Sequence, residues 1–245
     1  MIDIHSHILA DVDDGAKSFE MSLEMCRMAV DDGITHMVAT PHANNRFEYD
    51  RPFLQSQLEE LRTAVGRSPQ LSLGCDFHLS YENLQDFLVH PQKYTIDGGK
   101  YLLVEMSNFS IPVQMDEWFT TFASLGVTPI LTHPERNPIL QDDLQRVLRW
   151  IELGCAVQVT ASALTGFWGE HVWRSAQWLL KHNAVHFLAT DAHDTKNRVP
   201  ILSAARDEVA IVCNQDVAMA LVEGNPRAVI EGKPLPYFPE PLTSK

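Results

Sequence analysis

The side chains best suited to chemistry stand where short apolar runs stop. His5-Ser6-His7 follows the run at Ile2 and Ile4, and carboxylates come next at Asp11, Asp13 and Asp14. Residues two apart on a strand share a face, so His5 and His7 can aim two imidazoles at one point where a strand ends. The pattern recurs. Pro41-His42 closes the run from Ile34 to Thr40, Asp76 follows Gln70 to Cys75, and Glu105 follows Tyr101 to Val104. His133 follows Thr128 to Thr132, and Asp191-Ala192-His193 ends the run from Val185 to Thr190. Imidazole and carboxylate together suit zinc, manganese, iron or cobalt better than magnesium or calcium. Any one of these residues could be a hydrogen-bonded polar group at a strand end. Burying all of them without compensation is costly, and a multinuclear metal site supplies the compensation. His78, two residues past Asp76, points the same way if its strand continues and would then line the pocket.

The elements that must position these residues alternate strand with helix. Strands are expected at the start and at Ile34–Thr40, Gln70–Cys75, Tyr101–Val104, Thr128–Thr132, Ala156–Thr160 and Val185–Thr190. The sixth offers only Gln158 and Thr160. Helical spacing marks the stretch after Ser18 as far as Gly33, then Arg51–Val65, Glu82–Val89, Met115–Leu125, Leu140–Leu153, Gly169–His182, Ile201–Cys213 and Val217–Val222. Connections of this length imply parallel strands, and near-continuous apolar runs imply burial on both faces. One α/β domain over residues 1–245 is expected, a closed or nearly closed barrel one unit short of eight, with residues 235–245 as an extended tail. An open doubly wound sheet is the second choice. In parallel barrels the chemistry lies at the C-terminal strand ends, where these residues fall.

A net charge of −13 argues against a general nucleic-acid surface. It does not exclude an anionic substrate, because bound dications reverse the local field. No stretch approaches the ~20 apolar residues of a membrane span, and the opening MIDIHSH lacks the basic and apolar regions of a secretion signal. Cys26, Cys75, Cys155 and Cys213 are far apart and read as buried thiols in a reducing compartment. The expected location is the cytoplasm. No C-x5-R loop surrounds a cysteine, so nucleophilic cysteine catalysis is not expected.

The ordered set His5-Ser6-His7, Asp14, Pro41-His42, Asp76, Glu105, His133 and Asp191-Ala192-His193 resembles the PHP (polymerase and histidinol phosphatase) superfamily. More narrowly, MIDIHSHILADVDDGAKS, YLLVEMS, PILTHPER and TDAHDTKNRVP are similar to segments of the PHP-type protein-tyrosine phosphatases of bacterial capsule and exopolysaccharide operons. The resemblance runs in order along nearly the whole chain. It implies a distorted (β/α)7 barrel, in agreement with the strand count, and three divalent metals, commonly manganese, sometimes iron or zinc. By resemblance His5, His7 and Asp191 would bind one metal, Glu105 and His133 a second, and Asp14, His42 and His193 the third. The bridging position, usually Glu in the family, is Asp76 here. Arg136 and Arg198 would clamp phosphate, for which a guanidinium fork is well shaped.

The implied activity is phosphomonoester hydrolysis, with a hydroxide between two dications attacking phosphorus in line. The implied substrate is a phosphotyrosine protein, the tail of a bacterial tyrosine kinase in polysaccharide biosynthesis. On the loop after His42, Arg46 is a weaker candidate for the phosphate clamp, and Phe47 and Tyr49 offer walls for an aromatic substrate. A small-molecule phosphatase such as one for histidinol phosphate uses the same donors, and a nuclease role is disfavoured by the acidic balance. A non-catalytic metal-binding regulatory module is the reading from another class.

Overall fold

The computed structural model describes residues 1–242. Its strands are β1 Ile2–Ser6, β2 His36–Ala39, β3 His42–Ala43, β4 Gln70–Leu73, β5 Asp76–His78, β6 Tyr101–Glu105, β7 Thr128–Thr132, β8 Ala156–Thr160 and β9 Phe187–Ala189. The helices are α1 Phe19–Asp31, α2 Arg51–Val65, α3 Tyr81–Val89, α4 Met115–Ser124, α5 Pro138–Asp142, α6 Gln145–Glu152, α7 Ala161–Leu164, α8 Glu170–Lys181, α9 Ser203–Val212, α10 Gln215–Met219 and α11 Asn225–Ile230. Every strand pair is parallel, in the orders β1-β2-β4 and β3-β5-β6-β7-β8-β9.

These two sheets form one barrel. The chain leaves β2 at Thr40-Pro41 and re-enters pairing as β3, and leaves β4 at Gly74-Cys75 to return as β5. Each broken pair serves as one stave, which gives the seven staves expected. Closure comes from β9 against β1. Asp191 N donates to His5 O (2.8 Å), His7 N donates to Ala192 O (2.8 Å), and Ser6 bridges Ala192. Thr190 adds two bonds to the buried Asp3 carboxylate, from N to Oδ1 (3.0 Å) and from Oγ1 to Oδ2 (2.5 Å). The open sheet is thereby set aside.

One apolar cluster, with Ile4, Val38, Leu103, Ile130, Ala156, Phe187 and Ala189, fills the barrel interior. A larger one packs the helices on the outside. Gly74 is part of the inner packing: a Cβ there would meet Ile96 Cγ1 at 2.9 Å and Thr40 Cγ2 at 3.2 Å. The inner positions lead straight into the site by the two-residue period of a strand. Leu103 is followed by Glu105, Ala156 by Gln158, and Ala189 by Asp191.

The helices start where the sequence offers caps. Ser18 Oγ accepts from Met21 N, and Asp50 caps α2 ahead of Pro52, whose missing N–H costs nothing in a first turn. Five expectations are corrected. The Leu140–Leu153 helix is two helices, because Asn137 caps Pro138 and Asp143 then turns out of helical geometry (φ −149°, ψ 70°). Helix α7 and helix α11, too short to show a period, were not expected. Val217–Val222 is the end of α10 running into a π-helical turn, Ala220–Gly224. Cys213 is exposed, although the other three thiols are buried. Tyr49 is buried with its hydroxyl donating to Gly74 O (2.8 Å), so it is a core residue and not a substrate wall.

The chain after α11 has no regular structure as far as Leu242. It is tied down by Tyr237 N donating to Asn225 Oδ1 (3.0 Å) and Leu242 N to His182 O (2.9 Å). Residues 243–245 of the expected tail lie outside the described residues. Among the described residues no helix is long and apolar enough to cross a membrane.

Because Thr190 holds a buried carboxylate across the closing seam, Thr190→Val removes a hydroxyl while keeping the shape. It is expected to lower stability by about 1–3 kcal/mol, measured by urea unfolding.

Candidate metal centre

The C-terminal mouth of the barrel gathers nine donor side chains. Among the described residues, four groups could each hold a metal ion: His7, Asp14, His42 and His193; His5, His7 and Asp76; His5, His133 and Asp191; and His42, Asp76 and Glu105. Together they comprise the nine residues singled out from the sequence. Two of them, His133 (φ 36°) and Asp191 (φ 51°), have left-handed backbones. For residues other than glycine this is strained geometry of the kind that gathers at functional sites. His133 falls one residue out of phase with Thr132, and the turn redirects it into the cluster.

His5 Nδ1 donates to Gln158 Oε1 (3.0 Å) and His7 Nδ1 donates to Asp13 Oδ2 (2.7 Å). Both Nε2 atoms are thus left to face inward. They lie 3.3 Å apart, and Asp191 Oδ1 is 3.4 Å from one and 3.3 Å from the other. Three electron-rich atoms converging on one point repel unless a cation or proton lies among them. On the other side Asp14 Oδ1 is 3.3 Å from His42 Nε2 and 3.4 Å from His193 Nε2. Glu105 Oε1 is 3.8 Å from His133 Nε2, and Glu105 Oε2 is 3.4 Å from His78 Nδ1, which puts His78 at the pocket edge.

Asp76 stands between these sides. Its Oδ2 is 3.7 Å from His5 Nε2 and 3.1 Å from His42 Nδ1, so the shorter carboxylate still reaches both. Neither Asp76 oxygen has a hydrogen-bond partner, nor do His42 Nδ1 and His193 Nε2, and all four atoms are buried. Orphaned imidazole and carboxylate donors of this kind fit divalent cations. They do not fit a merely hydrogen-bonded polar core.

The electrostatics follow from the same crowding. Burial lowers the pKa of His7, but the Asp13 carboxylate outweighs it and raises the group to about 9. Burial lowers His42 too, but the facing carboxylates of Asp14 and Asp76 outweigh it and raise the group to about 11. His193 falls to about 4 through burial and the nearby charge of His7. His133 is pushed well down by burial and then by Arg136. Burial works to raise Asp191, yet Arg136, His5 and Arg198 hold it well below the usual carboxylate range.

Arg136 and Arg198 both bind Asp191 Oδ2. Arg136 Nη1 also donates to Thr160 Oγ1 (3.2 Å). Of the loop after His42, Phe47 stacks on the His42 ring (centroids 6.1 Å apart, 12° between planes), and Arg46 lies over Phe47 at 4.8 Å.

Four residues of the site were not assigned a role from the sequence. Asp13 orients His7 and accepts from His42 N (3.1 Å), but Asp11, Asp13 and Asp14 look alike in a linear sequence. Buried Glu135 accepts from Thr160 N (2.9 Å), and burial raises its pKa to about 7. Gln158 carries His5. Trp168 lies under both guanidiniums, with Arg136 Cζ 4.1 Å and Arg198 Cζ 5.5 Å from its ring. Only Gln158 gave a signal, as the polar residue in an otherwise apolar strand.

The family model for capsular polysaccharide synthesis, CpsB/CapC, matches residues 1–231. The chain belongs to the CpsB/CapC family. This CpsB/CapC chain is similar to the putative tyrosine-protein phosphatase CapC of Staphylococcus aureus, with 33% identity over 204 residues, 81% of this chain and 79% of that protein. It is also similar to the tyrosine-protein phosphatase CpsB of Streptococcus pneumoniae, with 29% identity over 239 residues, 94% of this chain and 98% of that protein. A crystal structure from work on YwqE of Bacillus subtilis and CpsB of Streptococcus pneumoniae, metal-dependent tyrosine phosphatases, aligns with TM-score 0.94, 27% identity and 100% coverage of both chains. The phosphotriesterase homology protein of Escherichia coli shares the fold alone, with TM-score 0.61, 11% identity, and 92% of this chain and 96% of that one covered.

Two outcomes are expected. At pH 7 the metal-free site keeps protons on His7 and His42, whose pKa values lie at about 9 and about 11. Metal loading must displace them. Manganese binding should therefore release protons, and its affinity should rise with pH, less steeply above about 9, where His7 deprotonates unaided and only the His42 proton is left to displace; calorimetry in buffers of different ionisation enthalpy measures both. Separately, a Cβ on Gly15 would lie 2.2 Å from His7 O and 2.4 Å from His7 Cβ. Gly15→Ala must displace His7, and a loss of about 10–100-fold in metal affinity is expected, read from metal content after dialysis against graded free manganese.

Proposed function

We propose that this chain is a metal-dependent protein-tyrosine phosphatase of polysaccharide biosynthesis, acting in the cytoplasm on the phosphotyrosine tail of a bacterial tyrosine kinase. The observation that carries the reading is the convergence of nine donors beside two guanidiniums that share the single carboxylate Asp191. We assign three divalent ions, manganese first, with His5, His7 and Asp191 holding one, Glu105 and His133 a second, Asp14, His42 and His193 the third, and Asp76 between them.

When bound, such ions supply Lewis acidity toward phosphoryl oxygens and make water a nucleophile at neutral pH. The chain's own residues do the rest. Gln158 and Asp13 fix the His5 and His7 rings so that Nε2 of each faces the cluster. Once divalent charge offsets Asp191, Arg136 and Arg198 can turn donors to the phosphate, where charge grows on the equatorial oxygens in the transition state. No side chain is needed as a dedicated acid, since a phenol with pKa near 10 is a far better leaving group than an alkoxide. Asp14 has 44% of its side chain exposed and Glu105 23%, so the mouth is open to solvent, as a polypeptide substrate requires.

The test is initial hydrolysis of a phosphotyrosine peptide and of histidinol phosphate, with manganese and after chelation. The peptide should be cleaved, chelation should abolish turnover, and manganese should restore it. His5→Ala combined with His7→Ala should be inactive. If metal-loaded protein cleaves neither compound, or the double variant keeps full activity, the hydrolase reading fails. Preference for histidinol phosphate would move it to the small-molecule alternative.

A further inference from the structure

Directly after β8, helix α7 leads into a short loop, residues 165–169, that stands at the edge of the metal centre. Two aromatics on it, Phe167 and Trp168, lie with centroids 5.3 Å apart and planes at 85°. They face different surroundings. Trp168 lies under Arg136 and Arg198, and its indole N–H donates to Ser162 Oγ (2.9 Å). Phe167, 51% exposed, lines a separate cavity of about 240 Å³ with Ala161, Val199, Ile201, Ala204 and Ala205. The two spaces share walls. Ser162, the partner of Trp168, also lines the cavity, and Asn197 and Val199, which line it too, flank Arg198 in the chain.

Three properties of this cavity narrow its occupant. It is smaller than the ~300–1,000 Å³ of drug-sized ligand sites, so it suits one side chain better than a whole small molecule. No charged residue lines it, although the chain carries a net charge of −13. Its rim leaves Phe167 and Ile201 (38%) exposed, two large apolar side chains that an inserted apolar group would cover. Beside it, Arg136, Arg198 and the exposed Lys196 offer positive charge to an anionic group. An occupant that satisfies both halves carries a phosphate and, a short distance along the same molecule, a large apolar group.

We propose that this cavity is a specificity subsite that receives one large apolar side chain of the substrate polypeptide, a few residues from the phosphotyrosine. The inference rests on the phosphatase reading of the metal centre and deepens it. A small phosphate ester has no second group to place here, so the subsite favours polypeptides over metabolites.

The test uses the full, manganese-loaded chain and a set of phosphotyrosine peptides in a serine and alanine background. A single leucine is walked along positions on either side of the phosphotyrosine. Each kcat/KM is divided by the rate on p-nitrophenyl phosphate, which reports fold and metal loading. Leucine at one particular position should raise the ratio by about tenfold, the effect of burying most of one such side chain. Two substitutions should bring leucine and alanine peptides to equal ratios: Ala204→Phe, which fills the cavity from an exposed helix position, and Ile201→Asp, which charges its rim. A flat profile for the unaltered chain, or a leucine preference that survives both substitutions, overturns the subsite and leaves the phosphatase reading standing. Failure to hydrolyse any phosphotyrosine compound or p-nitrophenyl phosphate overturns both.

Discussion

A single buried carboxylate holds this structure together. Asp191 is 2% exposed, and a charge so far from water is stable only if it is paired. Its pairing is supplied by four side chains from three parts of the barrel: His5 and His7 from the end of β1, Arg136 from the turn after β7, and Arg198 from the loop beyond β9. Its backbone N–H meanwhile closes the barrel against His5 O. Closure and site assembly are therefore one constraint. The last stave cannot dock without delivering Asp191 to the histidines, and the histidines cannot converge without an acceptor between them.

Charge balance extends this coupling to the cations. Without metal, the guanidiniums and the protons of His7 and His42 offset the carboxylates Asp14, Asp76, Glu105 and Asp191. Divalent ions do the same work with more charge per site. They would displace the two protons and weaken the hold of Asp191 on both arginines. On the proposed function the arginines would be counter-ions to Asp191 without metal and donors to phosphate with it. Trp168 gives them a fixed apolar floor in both states, worth something on its own as a cation–π contact.

Much of this was legible in the chain because a parallel barrel writes its site in a regular way. Each buried run ends at the mouth, so His5, His42, Asp76, Glu105, His133 and Asp191 each interrupt an apolar segment at a predictable place. The features that stayed hidden depend on contacts between segments distant in sequence, or on short elements without a period. The return of the chain to pairing after Thr40-Pro41 and after Gly74-Cys75 rests on β3 meeting β5, segments far apart in sequence, which no local pattern encodes. Asp13 was masked by two neighbouring aspartates, and only its contacts, the 2.7 Å bond to His7 and the 3.1 Å bond from His42 N, separate it from Asp11 and Asp14. Glu135 and Trp168 lie on a tight turn and a loop, where residue type gives no direction. Tyr49 was misjudged for the opposite reason: an aromatic in a polar loop looks exposed until the hydroxyl finds Gly74 O in the core.

Asp76 shows how geometry can offset a shorter side chain. A glutamate, which the resemblance implies at this position, would span the same gap with a longer side chain. Here the backbone does part of that reaching. Strand β4 breaks at Gly74, where only a hydrogen fits against Ile96 and Thr40, and β5 restarts at Asp76 in register with His42. That register sets the carboxylate beside His42 Nδ1 at 3.1 Å while leaving His5 Nε2 within 3.7 Å. The glycine break and the aspartate act as a pair. A longer side chain would have to bend back in a space that already holds Glu105, whose charge raises the cost of bringing a second carboxylate closer. The shorter residue keeps those two charges apart, with both its oxygens free of hydrogen bonds and available to cations.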